Sequence, residues 1–220
     1  QAIEKIALER GHDIVIRKDI EPLKVDLSLA DVAIDFSHPE AAYENIKNCI
    51  DKGVPVVSGT TGWLDRFDEI TTYCKQKDGG FIYASNFSIG VNLFFNLNAY
   101  LAKMMRPISE YDVEMEEIHH IHKLDAPSGT AISLADDILS ASDKKKWSIE
   151  SKEEEHLFIN VKREGEVPGT HSVTYSSEID SIEIKHTAFN RTGFALGAVV
   201  AAEWLREKKG IYSMKDVLGL

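Results

Sequence analysis

The sequence predicts an α/β protein in which a doubly wound parallel sheet is joined to a second, α+β domain with a mainly antiparallel sheet. Two observations carry this. Through about residue 86, short apolar runs alternate with helical stretches, which is the rhythm of βαβ units. From Phe87 onward the rhythm changes to one long helix, a strand, a second helix and then segments alternating with period two, as strands with one buried face do.

The elements follow in order. The chain opens inside a helix, with Ile3, Ile6 and Ala7 on its inner face and Gly11 as its stop. Neither a cap, a feeding strand nor a start methionine precedes it. The true N-terminus is therefore expected upstream, with the first strand and its glycine-rich turn missing here. Strands are expected at residues 14–16, 31–36, 54–57 and 81–84, and helices at 39–52 and 64–77. The strands end in small or polar residues (Ser37-His38-Pro39, Ser58-Gly59-Thr60-Thr61-Gly62, Ser85-Asn86-Phe87), on the side where doubly wound sheets hold ligands. Beyond them a helix is expected at 91–105, a strand at 112–122 and a helix at 130–140. The charge run 144–155 reads as a solvated loop or linker. Strands follow at 158–163, 171–175 and 179–187, and a final helix at 197–208 returns to the first domain. The domains are thus 1–86 with 191–220, and 87–190.

Composition narrows the function. With 43% apolar and 28% charged residues the chain has the balance of a soluble globular protein. No apolar run approaches the roughly 18 residues of a membrane span, so no membrane partner is expected. A net charge of −11 disfavours a broad contact with nucleic acid, and any anion site must be local. Cys49 and Cys74 lie in helix-like stretches without metal or redox spacing, and read as reduced thiols of a cytoplasmic protein.

The chemistry concentrates in EIHHIHKLDAPSGTA, residues 117–131. A strand period of two places His120 and His122 on one face and His119 on the other. Ser128 or Thr130 can cap the following helix, and Gly129 lets its backbone approach a ligand. Free N–H groups at that helix end, with Lys123 nearby, form a carboxylate or phosphate cradle beside a titratable group. HHxH is also a metal-ligand pattern, which the neighbouring Lys123 opposes, so no metal is expected. Plainer readings stand beside this one: histidines as ordinary strand residues, and SGT as only a cap, which anion binding does not exclude. Gly59, Thr60 and Thr61 suit a turn pressed against a cofactor, and Ala84, Ser85, Asn86 and Phe87 are a less specific second turn. Asp19 stands where a dinucleotide fold carries its ribose-binding acid. With Arg17 and Lys18 beside it, a surface charge cluster explains it equally well.

These residues resemble the 4-hydroxy-tetrahydrodipicolinate reductases (dihydrodipicolinate reductases) of bacterial and plant lysine biosynthesis. Residues 117–131 look like that family's signature. The segments 34–39, 59–62, 84–92, 167–170 and 199–220 fall in the family's order, so the resemblance covers essentially the whole chain. It implies a Rossmann-like cofactor domain and a substrate and oligomerisation domain. NADH or NADPH would reduce a small cyclic dicarboxylate to tetrahydrodipicolinate. By that resemblance His119 is the general acid or base, Lys123 a proton donor, and His120 with Ser128, Gly129 and Thr130 the substrate-binding groups. Gly59, Thr60, Thr61 and Ala84 to Phe87 would line the cofactor, with Asp19 and Arg191 as further contacts and a hinge near 86–87 and 190–192. It also implies a homotetramer built through the second domain's sheet, although segment 169–187 is shorter than the family's. Without the glycine-rich turn, weak cofactor binding is expected.

Overall fold

The computed structural model describes residues 1–18 and 26–220, so Asp19 lies outside the described residues. The chain divides into two compact units, Gln1–Asn92 with Thr192–Leu220, and Leu93–Arg191.

The first unit is a parallel sheet of β1 (Ala33–Asp35), β2 (Val56–Ser58), β3 (Gly80–Tyr83) and β9 (Gly210–Tyr212), in that spatial order. Parallel neighbours need crossovers. These are α2 (Pro39–Asp51) between β1 and β2, and α3 (Phe67–Gln76) between β2 and β3. Alternate strand residues face opposite layers. Val56 and Phe81 pack against Ile46, Ile50 and Ile70 of α2 and α3. Val57 and Ile82 pack against Ala198, Ala201 and Leu205 of α6 (Thr192–Leu205) and Met214 of α7 (Met214–Leu218). Burial on both faces is why these strands read as continuous apolar runs. Helix α6 sits close because residue 197 is glycine: a Cβ there would lie 1.7 Å from the Phe87 carbonyl oxygen. Helix α1 (Ala2–Glu9) packs on α6 through Ile6, Ala7, Ala195 and Val199.

Three sequence expectations change here. Residues 14–16 form no strand; Ile14 packs instead on the α1–α6 cluster. The last long helix starts at Thr192 rather than 197. The chain then adds β9, whose three residues are too few to show a period.

The second unit holds the C-terminal part of α4 (Ile89–Met105), then β4 (Asp112–His119), α5 (Gly129–Ser140), β5 (Lys146–Ser148), β6 (His156–Arg163), β7 (Gly169–Ser176) and β8 (Ser181–Ala188). Its sheet runs β5-β6-β4-β7-β8. The expected antiparallel pairing holds for β4, β7 and β8, whereas β5, β6 and β4 are parallel, so the sheet is mixed. Helix α5 carries the chain back so that β5 runs in the direction of β4, and segment 149–155 returns it once more so that β6 enters parallel between the two. One face of the sheet closes on α4 and α5 through Met115, Leu157, Ile159, Val173, Leu101, Leu134 and Ile138. The charge run 144–155 contains β5 rather than being only a solvated loop. Its Trp147 packs against this core, while Lys144 and Lys145 pair with Asp112 and Glu155. Among the described residues no helix is long and apolar enough to cross a membrane.

Candidate active site

On β4 every second residue is buried: Val113, Met115, Glu117 and His119. The strand stops at His119, earlier than the sequence suggested, because the backbone turns to meet the 164–165 loop. There the Glu164 N–H donates to the His119 carbonyl (2.8 Å) and the Ile121 N–H to that of Gly165 (3.1 Å). His120 and His122 therefore lie beyond the strand, although their rings still stand side by side with centroids 6.1 Å apart. Exposed His122 has its Nε2 3.2 Å from Glu166 Oε1, and His120 Nε2 lies 3.4 Å from the Arg191 guanidinium.

Sheet register assembles the site from distant sequence. Arg163 on β6 is the lateral partner of His119, and His171 on β7 that of Glu117. Fully buried Glu117 is the hub. Its Oε2 accepts the Ser128 N–H at 2.9 Å, and its Oε1 accepts from Arg163 Nη1 at 3.2 Å. The His119 Nδ1 stands 3.8 Å from Oε1 and His171 Nε2 3.7 Å from Oε2. Ser128 caps α5 by accepting the Ala131 N–H at 3.1 Å, and its hydroxyl also lies 3.1 Å from His171 Nε2. Arg163 fixes the loop between, donating to the carbonyls of Asp125 (2.6 Å) and Lys123 (3.4 Å). Lys123 Nζ is 2.8 Å from both oxygens of Asp125, and this pairing holds the Asp125 carboxyl below its ordinary range. Gly129 is open, with nothing within 4 Å of where a Cβ would stand.

Burial pushes the His119 pKa down. Glu117 opposes that shift, yet the direction stays downward because Lys123 and Arg163 reinforce the desolvation. His171 is pushed down to about 4, by burial first and by neighbouring His119 second. Both rings are thus neutral at pH 7 in the free protein.

Glu117, His119 and His171 also bring donor atoms within 4.8 Å of one another, a set that could ligate a metal. The fit is poor. Arg163 and the Ser128 amide already occupy the Glu117 oxygens, and a dication would have to displace a guanidinium.

In the first unit a different carboxylate organises the strand ends. Asp35 accepts from the hydroxyls of Ser37 (2.8 Å), Ser58 (3.0 Å) and Thr60 (2.8 Å) and from Asn45 Nδ2 (3.0 Å). Thr60, expected to line a cofactor, turns its hydroxyl inward to this hub, leaving Thr61 exposed. A Cβ on Gly59 would lie 2.2 Å from the Phe36 ring, which packs 5.6 Å from that of Phe87. Asn86 is spent on its own loop: its Oδ1 accepts the Ser88 N–H and its carbonyl the Asn92 side chain, both at 2.9 Å. Ser85 is exposed after Ala84, whose N–H donates to the Ser58 carbonyl at 3.3 Å.

Sequence reasoning did not assign Glu117, Arg163, His171 or Asp35. Glu117 carried a signal, since it shares the strand face of His119 at a spacing of two. For His171 and Arg163 the signal is register, which one sequence does not display.

A unit built on a parallel sheet whose strands end in glycine and hydroxyl residues, and a second unit bearing a buried histidine beside an open helix N-terminus, are the parts of a dehydrogenase-class α/β reductase. The comparisons make this specific. Family models for the dihydrodipicolinate reductase N-terminus and C-terminus match residues 1–87 and 90–218. A 4-hydroxy-tetrahydrodipicolinate reductase of Christiangramia forsetii is 56% identical over 221 residues, covering 99% of this chain and 92% of that one. One from Neisseria meningitidis serogroup C is 34% identical over 229 residues, covering 99% and 84%. A dipicolinate-bound dihydrodipicolinate reductase from Paenisporosarcina sp. TG-14 superposes with a TM-score of 0.71 at 27% identity, over 83% of this chain and 71% of that one. The chain belongs to the dihydrodipicolinate reductase family, as its motifs suggested. Its reaction is the nicotinamide-dependent reduction of 4-hydroxy-tetrahydrodipicolinate, in lysine biosynthesis.

Proposed function

We propose that the two units divide this reaction, the first holding the cofactor and the second holding the substrate and moving the proton. The observation that carries the reading is His119, buried beside a helix N-terminus and linked to it through Glu117. The substrate is a dicarboxylate. Its carboxylates suit Lys123, the N–H groups of Gly129 and Thr130, the Ser128 end of α5 and His120, by charge-assisted hydrogen bonds. Lys123 exchanges Asp125 for the substrate as it binds. The neutral His119 of the free protein then gains a further negative neighbour beside Glu117 and Asp125, which favours its protonated form and equips it as the acid.

At the other unit, Gly59, Thr61, Ala84 and Ser85, small or exposed at the carboxyl ends of parallel strands, fit a nicotinamide cofactor, with Asn86 shaping the loop and buried Phe87 supporting it from the core. When bound, that group supplies the hydride. Thr60 and Asp35 hold the turn from behind. The pair Arg17 and Lys18, with Asp19, is the region that would choose between NADH and NADPH. Arg191 orients His120, or contacts the cofactor. Residues 1–86 with 191–220, and 87–190, are the corresponding functional domains. The homotetramer expected of the family would use the second unit's sheet, whose edge strand β8 and flanking loops expose Ile179, Ile182 and Phe189. Its compartment is the cytoplasm, consistent with two buried free thiols.

The test is His119→Gln. Turnover should fall by about 10²-fold or more, the usual scale of acid–base catalysis, while cofactor affinity measured by fluorescence titration stays unchanged. Unaltered turnover would remove His119 from the proton step.

A further inference from the structure

The family's reaction needs a proton donor, and that donor must be held in line with the substrate cradle. Buried Glu117 contacts both. Its Oε1 lies 3.8 Å from His119 Nδ1, an atom buried without a hydrogen-bond partner, while its Oε2 receives the Ser128 amide at 2.9 Å. His171 closes the other side, 3.7 Å from Oε2 and 3.1 Å from the Ser128 hydroxyl, with its ring 5.0 Å from that of His119. Gly169 leaves room for the arrangement, since a Cβ there would stand 3.1 Å from His119 Nε2.

We propose that Glu117 is the positioning residue of the site, a single carboxylate that fixes the helix end receiving the substrate and sets how readily His119 holds a proton. This rests on His119 being the acid. The groups facing His119 are Glu117 on its own strand, Arg163 from β6, His171 from β7, and Lys123 with Asp125 from the following loop. Glu117 is the nearest anion to the ring and is buried. Asp125 is exposed and paired with Lys123, and buried Glu117, although paired with Arg163, outweighs it on the favourable side. Arg163 does double duty: it satisfies Oε1 and opposes a proton on His119.

The distinguishing experiment titrates the His119 side chain by 15N NMR, with the signal assigned by its loss in His119→Gln, alongside the pH profile of kcat/KM. Glu117→Gln preserves shape and removes charge. It should move both the His119 midpoint and the corresponding limb of the rate profile to lower pH by about one pH unit, as expected for a lost charge at this distance. Arg163→Gln should move both the other way, and Glu117→Asp should restore the midpoint while raising substrate KM through a loosened Ser128. Because Arg163 and Asp substitutions answer the same question, an unfolded Glu117→Gln protein would not end the test. A His119 midpoint unmoved by these variants, with only the melting temperature lowered, would make Glu117 merely structural and overturn the inference. Full turnover in His119→Gln would instead overturn the acid assignment itself.

Discussion

Asp35 and Glu117 are both buried carboxylates at strand ends, one in each unit, and they are dressed differently. Asp35 is satisfied by three hydroxyls and an amide, all neutral donors. Glu117 is satisfied by one backbone N–H and a guanidinium, with two imidazoles within 4 Å. Neutral donors hold geometry without offering another group to titrate, which suits the role proposed for this turn, keeping its shape for a cofactor. Imidazoles and a guanidinium make the surroundings of Glu117 sensitive to charge, which suits the proton step proposed there.

The contrast can be broken at either carboxylate. The largest effect is expected from Asp35→Ala, which strands the buried hydroxyls of Ser58 and Thr60. At about 1–3 kcal/mol for each unsatisfied donor, a loss of roughly 4 kcal/mol should be read from urea unfolding at neutral pH. A loss below about 1 kcal/mol would show that the turn is held by packing alone.

The next effect belongs to the second unit. With His171 at about 4 when folded and at the ordinary histidine value of about 6.5 when unfolded, the unfolded chain binds more protons between those limits. Stability should therefore be complete above pH 6.5 and fall by at most about 3 kcal/mol as pH drops to 4, with His119 acting in the same direction. Urea midpoints across that window should slope less in His171→Gln; equal slopes would remove the buried ring from the acid response. A smaller effect sharpens the same point. Substrate carboxylates should raise the His119 midpoint, so the limb it governs should lie at higher pH for kcat than for kcat/KM. Coincident limbs would mean that the substrate's charge does not reach His119.

The first unit was legible because buried parallel strands leave continuous apolar runs and end in glycines and hydroxyls; Val54 to Ser58 followed by Gly59 is such a stretch. The cradle was legible for a similar reason, since Ser128, Gly129 and Lys123 are local neighbours. His171 and Arg163 were not, because they join His119 and Glu117 only through pairing across β7 and β6. The parallel half of the second sheet was hidden too, as period two marks a buried face and not a strand direction. Asp35 looked like one polar residue at a strand end until Ser58 and Thr60 turned toward it.

The division of labour between the two units is tested most directly by titrating pyridine-2,6-dicarboxylate calorimetrically into Lys123→Ala and Asp35→Asn. Loss of charge-assisted contacts should weaken binding by about tenfold or more in Lys123→Ala and leave Asp35→Asn within about twofold of the unaltered protein. Equal weakening in both, or weakening in Asp35→Asn alone, would contradict the placement of the substrate on the second unit.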